Sequence, residues 1–104
     1  MIVSDSSPLI ALAKVGLLSL LKEFYGKVLI SETVYEEVVS MGCGRPGARE
    51  VGKALGEGWI EVKSVLPDRI LVDILGRGEA EAVALAKQLN LLLLIDDSKG
   101  FVMA

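Results

Sequence analysis

The sequence predicts an α/β protein, with helices packed on both sides of a parallel sheet of about four strands. Three observations lead there. Short apolar runs alternate with helix-period segments along the chain. The runs at residues 1–4 and 91–95 lack polar alternation, as strands buried on both faces do. Asp5 follows the first run and Asp96-Asp97 follows the last. In open α/β sheets, sites form beyond the carboxyl ends of the strands.

The elements follow in order. Residues 1–4 read as a strand. Ser7 is suited to cap the next helix, and Pro8 to its first helical position, where a missing N–H costs nothing. Helical segments at 9–14 and 17–24 break near Gly16 and end at Tyr25-Gly26. Residues 27–30 are strand-like, and Ser31 caps a helix running to about Met41. The glycines and proline of 42–47 make a loop. A helix at 48–55, closed by Gly56-Glu57-Gly58, leads to a strand at 59–62 and a short helix at 67–75. Gly76-Arg77-Gly78 is a hinge before a helix over 79–89, and 91–95 is the last strand.

The 104 residues suit a single domain spanning 1–104. A hydrophobic share of 52% with 24% charged residues excludes disorder. The net charge of −3 gives no overall basic field for nucleic acid. That does not exclude a nuclease, because a carboxylate site is negative until cations arrive. Cys43 is the lone cysteine, so no intramolecular disulfide forms. Together with the absence of a visible leader, this gives the expectation of a cytoplasmic protein. The run at 91–95 is far too short to span a bilayer.

With no histidine and one cysteine, chemistry must run on carboxylates, and clustered carboxylates favour hard divalent metals. Four acids from distant segments stand out: Asp5, Glu37, Glu79, and Asp97, with Asp96 its rival. Helical periodicity chooses between neighbours. Val34, Val38 and Met41 form one stripe that Glu37 borders, while Glu36 points away. Ala82, Val83, Ala86 and Leu89 form the inward face of the later helix, with Glu79 at its edge and Glu81 on the solvent side beside Lys87 and Gln88. Each acid also has a plain reading: dipole partner, surface charge or turn residue. Without a histidine or a nearby lysine, Ser6 and Ser7 lack the means of activation as nucleophiles. Ser7 reads better as a cap, and Ser6 as an outer hydrogen-bond partner of Asp5. Gly76-Arg77-Gly78 is only half of a phosphate-binding loop and follows no clear strand.

These segments resemble the four motifs of PIN-domain proteins, the family of VapC-like toxin ribonucleases. The opening Ile2-Val3-Ser4-Asp5-Ser6-Ser7-Pro8-Leu9 resembles the first motif and Val34-Tyr35-Glu36-Glu37-Val38 the second. Gly76-Arg77-Gly78-Glu79-Ala80-Glu81-Ala82 resembles the third, and Leu93-Leu94-Ile95-Asp96-Asp97-Ser98-Lys99-Gly100 the fourth. The nearest subgroup is a set of prokaryotic PIN proteins of largely unassigned role. The resemblance implies a three-layer PIN-like fold and a Mg²⁺- or Mn²⁺-dependent hydrolase acting on RNA. Asp5, Glu37, Glu79 and Asp97 would be catalytic. Asp5, Glu79 and Asp97, or Asp96, would hold the metal, with Ser6 and Ser7 behind them. It also implies an RNA substrate, a cognate antitoxin protein and a homodimer. PIN domains of this kind continue past the fourth motif with a helix and a last strand, and carry an arginine after the residue matching Gly100. The expectation is therefore a shortened PIN fold in which the strand at 91–95 is an edge that pairs with another copy. The alternative is a catalytically inactive PIN fold kept as a protein-binding or oligomeric module.

Overall fold

A computed structural model describes residues 1–95. Four parallel strands, β1 (Ile2–Ser4), β2 (Val28–Ser31), β3 (Ile60–Lys63) and β4 (Leu92–Leu94), form one sheet in the order β3-β2-β1-β4. The register pairs Ile2 with Val28 on one side of β1 and with Leu92 on the other. The helices are α1 (Ser6–Lys14), α2 (Ser19–Tyr25), α3 (Glu32–Tyr35), α4 (Ala48–Glu57), α5 (Arg69–Leu75) and α6 (Arg77–Leu89). Helix α3 runs on into a π-helical turn, Glu36–Ser40.

Strand residues alternate between the two faces of a sheet, and two cores result. Ile2, Val28 and Ile30 join Leu9, Leu21, Val34, Val38, Val51 and Trp59 in the larger core, under α1, α2, α3 and α4. Val3 and Leu29 point the other way, onto Ala82, Leu85 and Ala86 of α6. This is the three-layer α/β/α architecture with a parallel sheet.

Local signals set the boundaries. The Ser31 hydroxyl accepts a hydrogen bond from Val34 N–H at 3.2 Å, the cap that opens α3. Asp68 caps α5 through Ile70 N–H at 2.8 Å. Gly76 joins α5 to α6 by itself. Its N–H donates to Val72 at the end of α5, and its carbonyl accepts from Ala80 in α6. Its φ of 88° and ψ of 164° suit only glycine. The hinge is thus one residue, and α6 starts at Arg77, earlier than the expected Glu79.

Three local expectations need correction. Helix α1 begins at Ser6 with Asp5 in the N-cap position, so Ser7 does not cap and Pro8 is the third helical residue. Proline fits there too, because the first-turn N–H groups lack helical partners. Met41 is 72% exposed and off the Val34–Val38 stripe. The π-turn explains it: Met41 N–H bonds back five residues to Glu36, so the added residue rotates everything after it. Strand β4 is not buried on both faces. Leu92 is 55% exposed, because among the described residues β4 ends the sheet and pairs only with β1. No helix among the described residues is long and apolar enough to cross a membrane.

Candidate active site

Asp5, Glu37 and Glu79 line one cleft of about 110 Å³, together with Ser6, Ser7 and the Leu75–Gly78 segment. Each acid arrives from a different element. Asp5 leaves the carboxyl end of β1, and its N–H donates to Leu94 of β4 at 3.0 Å, fixing it above the junction of the two strands. Glu37 comes from the π-turn that follows β2 and α3. Glu79 lies in the first turn of α6, where the helix dipole favours an anion. Asp5 and Glu79 are buried, whereas Glu37 is exposed. All three sit at the carboxyl edge of the sheet, where parallel α/β folds bind ligands. Asp96 and Asp97 lie outside the described residues.

Gly78 explains how Glu37 comes so close. A Cβ at position 78 would stand 2.6 Å from Glu37 Oε1. Only a residue without a side chain lets this carboxylate rest against the start of α6. Ser6 Oγ donates to the same Oε1 at 3.4 Å. The expected outer partner is therefore present, but its acceptor is Glu37 where Asp5 was expected. Ser7 lines the cleft.

Glu81 is the main departure from the periodicity reading. It is buried, not on the solvent side. Its Oε1 accepts from Thr33 N–H at 3.2 Å, and its Oε2 accepts from Thr33 Oγ1 at 2.8 Å and from Arg77 Nε at 3.1 Å. A helical wheel assumes one buried face, yet α6 buries eight residues from Gly78 to Ala86. The run of glycine and alanine was the available signal, since small side chains allow close packing on more than one side. Thr33 escaped sequence reasoning because its contact with Glu81 spans 48 residues, whereas Arg77 lies only four residues from Glu81 and was read as part of the hinge.

Comparison with known proteins agrees with the fold. A family model described as a PIN domain matches residues 1–104. The chain belongs to the PIN-domain family. No curated protein and no solved structure matches it. The PIN fold is in general a nuclease fold that uses divalent metals. In this PIN domain the donors lining the cleft are hard oxygens, the ligand type that suits a hard divalent cation. Among the described residues, no three His, Cys, Asp or Glu side chains form a metal-ligand set. A divalent cation such as Mg²⁺ keeps several waters and takes only one or two protein carboxylates, so a cleft of this kind need not form a closed cage.

Proposed function

We propose that this PIN domain is a metal-dependent endoribonuclease of the VapC-like toxin type. One observation carries the reading: three acids from β1, the π-turn and α6 share a single cleft at the carboxyl edge of the sheet. Glu79 and Asp5 would hold Mg²⁺ or Mn²⁺, with Asp97 or Asp96 as the further ligand. Glu37 would act from the rim. A bound divalent cation supplies positive charge that acidifies water and offsets the charge of a phosphodiester.

The chain's own groups do the rest. Glu37 is exposed and reaches solvent, so it is the acid suited to accept a proton from an attacking water. Ser6 steadies its carboxylate, and Gly78 leaves it room beside Glu79. Asp5 is fixed through its backbone N–H to Leu94 of β4.

In this reading the substrate is RNA, the cell compartment is the cytoplasm, and a cognate antitoxin protein restrains the activity. Homo-oligomerisation through the outer edge of β4 is part of the same proposal. The exposed Leu92 and the terminal place of β4 in the described sheet support it. The alternative, an inactive binding module, draws on the exposed apolar stripe Leu66, Ile70 and Ile74 beside and along α5.

The test is cleavage of labelled RNA by the wild-type chain with Mg²⁺ or Mn²⁺, beside Asp5→Asn and Glu79→Gln. Cleavage by the wild type alone supports the nuclease. Equal cleavage by all three chains would assign the activity to a contaminant.

A further inference from the structure

We infer that Arg77 is the phosphate-contacting cation of the acid cleft, and that buried Glu81 is the residue that positions it. The inference rests on the nuclease reading. Among the described residues lining the cleft, Arg77 is the one basic side chain. It also lines the neighbouring groove formed by Thr33, Glu36 and Glu81, so it stands on the wall between the two. Its ion pair is not with the acids of the cleft. It is with Glu81, one turn further along α6, through Nε alone at 3.1 Å.

That geometry has a consequence. A guanidinium gripped at Nε is held side-on, and its two terminal nitrogens stay available. The Arg77 side chain is 68% exposed while that of Glu81 is 6% exposed, so the anchor is buried and the head group faces solvent. Glu81 cannot swing away, because Thr33 holds both its oxygens from α3. A rigid anchor with an outward fork suits bidentate recognition of a phosphate. In the nuclease reading, Asp5, Glu37 and Glu79 serve the reacting phosphate. Arg77 at the rim would hold the adjacent phosphate of a single strand.

The probe is a fluorescent single-stranded oligouridylate, titrated in chelator so that binding is read without cleavage. Wild type, Arg77→Ala, Arg77→Lys and Glu81→Gln are compared across salt concentrations. Arg77→Ala should bind about tenfold more weakly, as expected for one charge-assisted contact. The slope of log K against log salt should fall by about 0.7, the value for one phosphate on a single strand. Arg77→Lys should keep that slope, because the charge remains, while binding more weakly than wild type. Glu81→Gln should weaken binding with the slope kept. With Mn²⁺, Arg77→Ala should raise KM and leave kcat within about twofold. An unchanged salt slope in Arg77→Ala overturns the inference, as does a loss in kcat alone. If no chain cleaves RNA yet the slope falls as stated, the nuclease reading fails and the Arg77 contact stands.

Discussion

Glu79 and Glu81 lie two residues apart on α6, and both are buried, at 8% and 5% exposure. About 200° of helical rotation separates them, so they face different neighbours. Glu81 meets donors: Thr33 N–H, Thr33 Oγ1 and Arg77 Nε. Glu79 shares its cleft with two other carboxylates, Asp5 and Glu37. The difference separates two uses of a buried acid. A carboxylate surrounded by donors ties α3 to α6 and adds to stability. A carboxylate in a cleft lined by other acids suits a cation. The same fold thus keeps a strut and a candidate ligand two residues apart.

This contrast is open to direct attack by mutation. The largest expected effect is on activity. Asp5→Asn and Glu79→Gln should each lower RNA cleavage by more than about 100-fold, beyond the ~10–100-fold typical of an outer-shell partner. Both should shift Tm less than Glu81→Ala does. Cleavage assays and thermal melts of the same preparations check both halves.

The stability arm comes next. Glu81→Ala strips a buried carboxylate from three donors and should cost about 2–3 kcal/mol. For a domain of this size that lowers Tm by on the order of 10 °C. If Glu79→Gln lowered Tm as much as Glu81→Ala, the division between strut and ligand would collapse.

A third substitution sharpens the picture from the other side. Gly78→Ala puts a methyl where the Glu37 carboxylate rests. A flexible side-chain end can move aside, and alanine is the better helix former, so stability should change by less than about 1 kcal/mol. Cleavage should nevertheless fall by about tenfold, because Glu37 is pushed off the cleft. Full activity in a well-folded Gly78→Ala chain would remove Glu37 from the account.

The smallest effect lies far from the cleft. Lys27 Nζ contacts Glu61 Oε1 at 2.6 Å at the start of β2 and β3, and Lys63 lies at 3.5 Å from its other oxygen. The hydrogen bond from Lys27 and its charge hold the Glu61 carboxyl below its usual value of 4.5. A depressed acid gives stability above its unfolded pKa and loses it as pH falls through the folded one. Glu61→Gln should therefore narrow the gap in Tm between neutral pH and pH below about 4, slightly, because the pair is exposed. An unchanged acid limb would show that the pair adds nothing.

How much was legible follows from which forces are local. Strand β1, the Ser31 cap and the glycine closing α4 are written in adjacent residues, and the structure follows them. The acids Asp5, Glu37 and Glu79 were visible as candidates because each ends or borders an apolar pattern. Glu81 was misread because periodicity reports one buried face, while α6 touches α3, α5 and three strands. Met41 was misplaced because nothing in its neighbours announces a π-turn. The Glu81–Thr33 tie joins two segments 48 residues apart, and no local pattern encodes such a contact.

The most direct test of the central claim is calorimetric titration of Mn²⁺ into the wild-type chain and into Asp5→Asn, Glu79→Gln and Glu81→Gln. The account predicts saturable binding by the wild type and Glu81→Gln, and its loss in Asp5→Asn and Glu79→Gln. Undiminished binding by Asp5→Asn and Glu79→Gln would contradict it, because the metal would then sit somewhere other than the shared cleft.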